Sequence, residues 1–166
     1  MGYFRYIGID PGASGGLAII GLGRMDGVWL KPMPKTERDV YEWLALELPS
    51  EENHLFAVIE KVGGYVGGNG QPGSAMFKFG MSYGGLRMAL IANGIPFDEI
   101  APRTWQKAFG VAPRKKTESK SQFKNRLKAK AQQLFPNQKI TLATADALLL
   151  AEYCRRKCEG TLARSV

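Results

Sequence analysis

The chain is poor in the side chains on which most hydrolytic and redox chemistry relies. Its 166 residues include one histidine, His54, and two cysteines, Cys154 and Cys158. Serine–histidine catalysis is therefore disfavoured, and any chemistry must rest on carboxylates, lysines and a metal ion. The cysteines stand four apart in a predicted terminal helix, which puts both on one face. No further soft ligand stands near them to complete a metal site, so they read as ordinary thiols and His54 as an ordinary imidazole. No run approaches the ~18 apolar residues of a membrane span. The first nine residues carry Arg5 and lack a cleavage-like small-residue site, unlike a signal peptide. The expected location is the cytoplasm, with no membrane partner.

What is present suits one globular domain: hydrophobic residues make up 45% and charged residues 23%, in a length that holds one core. With no internal repeat and no domain-sized linker, residues 1–160 read as a single domain. Residues 161–166, after Gly160, read as a fraying tail. The formal charge is +8, and it is concentrated. Arg114, Lys115, Lys116, Lys120, Lys124, Arg126, Lys128 and Lys130 share their stretch with one acid, Glu118. A solvated helix face and a membrane surface are the competing explanations of such a segment. Nucleic acid is the preferred partner.

Apolar periodicity and turn residues divide the chain. Tyr3 to Ile9, Leu17 to Gly21 and Val28 to Lys31 read as an antiparallel meander turning at Pro11-Gly12 and Gly15-Gly16. Thr36 reads as a helix N-cap with Asp39 in a capping-box role. Val40, Trp43, Leu44 and Leu48 form that helix's apolar stripe. Leu55 to Ile59 is wholly apolar, as in a strand buried on both faces. The glycine-rich stretch from Gly63 to Gly73 predicts a loop. Ser74 to Ala92 then predicts a helix that Gly80, Gly84 and Gly85 weaken, with small residues suited to close packing, including against a second copy. Phe97 to Ile100 predicts a strand, and Pro102 opens a helix that turns Trp105 and Phe109 inward. Thr117 can cap a longer helix to Leu134, and Ala143 to Lys157 forms the last. The order β-β-β-α-β-α-β-α-α-α specifies an α/β domain with a mixed sheet.

Three acids interrupt apolar sequence. Asp10 closes the strand Tyr6-Ile7-Gly8-Ile9 beside a tight turn, where it either caps Pro11-Gly12 or carries chemistry. Glu60 closes Ala57-Val58-Ile59 in the same way, with a solvated strand end as the alternative. Asp146 lies near the start of Ala143-Thr144-Ala145-Asp146-Ala147-Leu148, where a helix N-terminus alone would favour an anion. Two strands ending in carboxylates can bring both to one sheet edge, and hard cations such as Mg²⁺ or Mn²⁺ take oxygen ligands of this kind.

An ordered set of motifs runs through nearly the whole chain: Ile7-Gly8-Ile9-Asp10-Pro11-Gly12, Val58-Ile59-Glu60, Phe79-Gly80-Met81-Ser82-Tyr83-Gly84, Pro102-Arg103-Thr104-Trp105, Leu134-Phe135-Pro136 and Ala145-Asp146-Ala147-Leu148-Leu149. In this set the chain resembles the RuvC-type Holliday junction resolvases, most closely their phage and plastid branch. The resemblance implies an RNase H-like fold, a mixed central sheet with an antiparallel meander flanked by helices. It also implies a homodimer that places paired, metal-dependent nicks in a four-way DNA junction, leaving 5′-phosphate ends. A phage protein of this kind would work in the cytoplasm of its bacterial host.

By position, the resemblance makes Asp10, Glu60 and Asp146 catalytic metal ligands for two Mg²⁺ ions, with Mn²⁺ as the other candidate. It makes Lys124, eleven residues before Phe135, the lysine beside the scissile phosphate. Lys124 also belongs to a four-residue repeat with Lys116, Lys120 and Lys128, which alone would track phosphates. Lys107 matches a second family lysine only with a different spacing to Gly110. Lys107, Arg114, Lys115, Lys116, Lys120 and Lys128 are the expected DNA contacts. Gly63 stands where some members carry an aromatic wedge, leaving Tyr65 as the substitute. The clear departure is at Ala143, where the family usually has a fourth acid. Glu152, six residues beyond Asp146, falls on another helix face. Two alternatives follow: a catalytically silenced junction-binding protein, and a less selective nuclease of branched DNA. The segment Gly8 to Gly12 also resembles the first phosphate loop of the actin and sugar-kinase fold, for which the chain is too short.

Overall fold

The computed structural model describes residues 3–23, 26–46, 53–63 and 73–161. Three antiparallel strands come first: β1 (Tyr3–Asp10), β2 (Gly16–Leu22) and β3 (Gly27–Pro32). They are followed by α1 (Glu37–Ala45), β4 (Asn53–Glu60), α2 (Gly73–Ala92), β5 (Phe97–Ile100), α3 (Pro102–Ala108), α4 (Lys120–Leu134) and α5 (Ala145–Cys158). The five strands lie in the order β3-β2-β1-β4-β5. β1 to β3 form the expected meander, and β4 runs parallel to both β1 and β5. The sheet is therefore mixed, with β1 at its centre.

Alternation along each strand splits the core into two layers. Ile7, Ile9, Leu17, Ile19, Ala57 and Ile59 join Val40 and Leu44 of α1 and Leu86, Ala89 and Leu90 of α2. Tyr6, Ala18, Ile20 and Val58 join Trp105, Leu127 and most of α5 on the other face. Even-numbered positions of β1 and β4 thus face α3, α4 and α5. Asp10 and Glu60 are the next even positions on both strands.

Local chemistry fixes the helix starts. The Thr36 hydroxyl accepts from the Asp39 amide at 3.1 Å and donates to the Asp39 carboxylate at 2.8 Å. Thr117 does not cap α4. Ser119 does, through a reciprocal capping box with Gln122 at 3.1 and 2.8 Å. Only Ser119 has a glutamine three residues on, whereas Thr117 would have Lys120 there. α5 begins two residues later than its alanines suggest, because Thr144 spends its hydroxyl on the Thr141 amide before the helix. Gly73 opens α2 rather than closing a loop. Residues 64–72 of the glycine-rich stretch, Leu48 of the first helical stripe and residues 162–166 of the tail lie outside the described residues. Thr161 is bonded through its amide to Arg156 O at 2.8 Å. Among the described residues no helix is long and apolar enough to cross a membrane.

Candidate active site

β1 and β4 pair in parallel with Ile9 opposite Ile59, so Asp10 and Glu60 project side by side one step further on. Asp146 reaches them from the first turn of α5. That approach depends on Gly8. A Cβ there would lie inside the van der Waals envelope of the Ala147 carbonyl oxygen and the Ala151 amide nitrogen. Glycine lets α5 lie directly on β1, and the contact brings a residue 136 positions downstream against the strand end. Asp10 and Asp146 are 6% and 3% exposed, and Glu60 is half-buried.

Lys124, from the second turn of α4, supplies the opposite charge. Its ammonium lies 3.5 Å from Asp10 Oδ2 and also bonds Asp146 Oδ2. One lysine does not satisfy two buried acids and a third that is half-buried. Burial, opposed by Lys124 and reinforced by Asp146, pushes the Asp10 carboxyl up to about 6. Glu60 is pushed up to about 7 by burial and the Asp10 charge, with a hydrogen bond from Trp105 pulling the other way. Asp146 is raised by burial against the pull of Lys124. Burial works against the Lys124 charge, but Asp10, Asp146 and Glu60 outweigh it, so its ammonium is held above the ordinary lysine value.

The third acid has its own donor. Trp105 Nε1 donates to Glu60 Oε2 at 2.9 Å, and its ring is fully buried. Asp146 Oδ1 is buried and, among the described residues, has no hydrogen-bond partner, an expensive state for a carboxylate oxygen unless a cation serves it. Among the described residues no three acid, thiol or imidazole groups already close on a common point; Asp10 and Asp146 instead share the Lys124 ammonium. The donor set is nonetheless all oxygen, short of positive charge and at the end of two parallel strands. It fits a hard divalent cation.

No family model and no curated protein matches the chain. Solved structures do. RuvC from Thermus thermophilus matches with a TM-score of 0.59 at 15% sequence identity, covering 99% of this chain and 99% of that one. T. thermophilus RuvC in complex with a Holliday junction substrate also matches, at the same score and identity, over 97% of this chain and 98% of that one. The fold is RNase H-like, as in RuvC.

Within this RNase H-like frame α4, the helical part of the basic segment, packs against α5. Lys120 adds its charge to the surroundings of Asp10, and Lys115, Lys116 and Lys120 are exposed. Lys128 is half-buried on α4. Glu118, the one acid of this segment, is not a stray charge. Arg126 binds it at 2.7 and 2.9 Å in a two-pronged pair and also bonds the carbonyls of Ala112 and Pro113. Arg114 bonds the Glu118 carbonyl at 2.7 Å. The segment before α4 is thus folded onto the helix, with Lys115 and Lys116 on its outside. Lys107 is exposed in the last turn of α3, and among the described residues no ion pair joins it to the three acids. Tyr65 lies outside the described residues. Glu152 does not stand in for the acid missing at Ala143: it is held by Arg155 and Arg156 at 2.8 and 2.7 Å.

The motif around Trp105 and the glycine at position 8 were visible in the sequence, but their roles in the site were not. Trp105 reads there as an inward-facing helix residue, and its partner lies 45 positions away. The one available signal for Gly8 is the pair Ala147 and Ala151, small residues four apart on the helix that meets it.

Proposed function

We propose that the protein is a metal-dependent endonuclease that resolves four-way DNA junctions by paired phosphodiester hydrolysis. The observation that carries the reading is the meeting of Asp10, Glu60 and Asp146 with Lys124, leaving Asp146 Oδ1 buried and, among the described residues, unpartnered. The full-length likeness to RuvC, one of whose structures holds a Holliday junction substrate, supports the choice of DNA and of branch structure. The sequence motifs favour the phage and plastid branch.

Asp10, Glu60 and Asp146 would hold two ions, Mg²⁺ or Mn²⁺, whose chemistry is activation of the attacking water and stabilisation of the leaving 3′ oxygen. Lys124 is 31% exposed at its side chain, so its ammonium can turn from the carboxylates to a phosphate oxygen and offset charge gathering there. Lys115, Lys116, Lys120 and Lys128 supply backbone phosphate contacts, which set affinity and register without reading sequence. Lys107 and Arg114 extend that surface, and Tyr65 serves as the aromatic contact at the branch point.

Two cuts related by symmetry need a two-fold dimer. Support for a homodimer comes from α2. Phe77, Met81, Met88 and Ile91 are 69%, 56%, 57% and 57% exposed. With Gly84 they follow a 4-3-4-3 spacing along one helix face, the pattern by which two helices interlock.

The test is cleavage of a labelled four-way junction by excess protein in Mg²⁺, in Mn²⁺ and in chelator. The reading expects symmetric, ligatable nicks that need the metal, and loss of cutting with retained junction binding in Asp10→Asn. Near wild-type cutting by that variant would show that the proposed centre is wrong. Ala143 favours a second reading, a junction-binding protein silenced by its missing acid. Tight binding without nicks in either metal selects it. Equal cutting of flaps, forks and junctions at one salt concentration would instead mark a general branch nuclease.

A further inference from the structure

We propose that Trp105 is a positioning residue of the metal centre: its indole N–H fixes the Glu60 carboxylate in the orientation that receives a divalent cation. The inference rests on the nuclease reading above and assigns a role outside the acids and the lysine.

The three acids are not held alike. Lys124 grips Asp10 and Asp146, and among the described residues no ion pair reaches Glu60. Glutamate also has one more rotatable bond than aspartate, so its carboxylate has more to lose when fixed. Trp105 is the donor that fixes it, at 2.9 Å. That donor is immobile. Trp105 is fully buried in the layer formed with Phe109, Leu127 and Leu148, and moving the ring would open a large void in a packed core.

Topology places it there directly. Ile100 pairs with Glu60 at the end of β5, and Lys61 N bonds Ile100 O at 2.8 Å. Ala101 then serves as N-cap and Pro102 starts α3, so its first turn carries Trp105 back over the strand end. The chemistry of the donor is apt. An indole offers one N–H and no charge. It stabilises a carboxylate without the repulsion that an ammonium or guanidinium would exert on an arriving cation. Outer partners that orient metal ligands in this way commonly contribute about 10–100-fold to metal affinity.

A buried indole also needs an acceptor for its own sake, so the experiment must separate positioning from simple satisfaction. Free Mn²⁺ is titrated by electron paramagnetic resonance against the full chain as wild type, Trp105→Phe, Glu60→Gln and the double variant. Trp105→Phe is expected to weaken Mn²⁺ binding by about 10–100-fold, while junction binding in chelator stays at the wild-type level. On the Glu60→Gln background the same substitution is expected to change binding by less than about twofold, because it acts through Glu60. An equal loss on both backgrounds means that Trp105 acts through packing, and unchanged binding in the single variant means that it does nothing. Either result overturns the inference while leaving the nuclease reading intact. Wild-type protein that takes up no Mn²⁺ overturns both. If Trp105→Phe does not fold, the wild type labelled with ¹⁵N at its three indoles carries the test. The resonance displaced by Glu60→Gln is expected to shift as Mg²⁺ is added, and a resonance that ignores Mg²⁺ overturns the proposal.

Discussion

At Asp10 and Glu60 burial and like charge both favour the protonated acid, and the one ammonium nearby offsets only part of that. The consequence reaches stability as well as chemistry. Their ordinary values are 3.8 and 4.5, and in the folded protein they stand at about 6 and about 7. Between about pH 4 and 7 the native state therefore binds more protons than the unfolded chain, and stability falls as pH rises through that window. The metal-free protein should be more stable at pH 6 than at pH 8 by about 1–2 kcal/mol. That corresponds to a melting point about 3–6 °C higher for a chain of this size. Saturating Mg²⁺ should remove most of the difference, since a cation replaces the protons that the acids otherwise take up. Calorimetry in chelator at the two pH values decides it. A melting point that rises from pH 6 to pH 8 would mean that the acids are already compensated and that the site is not short of positive charge.

Among the elements, the contact of α5 with β1 sets the geometry of everything else. Gly8→Ala would force its methyl into the α5 backbone at Ala147 and Ala151. Strand and helix must separate, with a loss of about 3 kcal/mol. Because Asp146 rides on the same turn, the variant should also cut a junction about 10²-fold more slowly even where it remains folded. Thermal melting and single-turnover cleavage measure the two effects separately. Normal cleavage by a destabilised Gly8→Ala protein would show that the acids do not depend on this contact.

The same contact shows where sequence reading stops. The meander, the apolar β4, β5 and the Thr36 cap follow from period, turn residues and capping chemistry, which are local. So does the suspicion of Asp10, Glu60 and Asp146, each a charge in apolar sequence. Cap competition over two residues, Ser119 against Thr117, is settled only by which side chains close a reciprocal box. Close approach at Gly8 and the Trp105–Glu60 bond depend on partners far along the chain, and no window of sequence contains both members.

For the whole molecule, charge and shape make different demands. The basic segment folded by Glu118 and Arg126 gives each chain one basic face, but the two coordinated cuts proposed above would require two such faces in fixed relation. α2 offers the means. Its inner side is committed: Leu86, Ala89 and Leu90 are buried, and a Cβ at Gly85 would come within 3.1 Å of Glu37 Cγ on α1. Its outer side exposes Phe77, Met81, Met88 and Ile91, while no described residue comes within 4 Å of a Cβ at Gly80 or Gly84, which suits the approach of another backbone. An apolar stripe of that length on a protein of formal charge +8 is costly to leave in water, and self-association across a two-fold axis covers both copies at once. The double variant Met81→Glu, Met88→Glu puts like charges on both sides of that axis, where they repel as well as forgo burial. It is expected to sediment as a monomer with an intact fold, because neither side chain enters the core. The monomer should still nick a junction in the presence of metal, since each site is built from one chain, but its nicks should be single and uncorrelated. Wild-type protein that sediments as a monomer would remove the dimer outright. A double variant that stays dimeric would move the interface to another face of the domain.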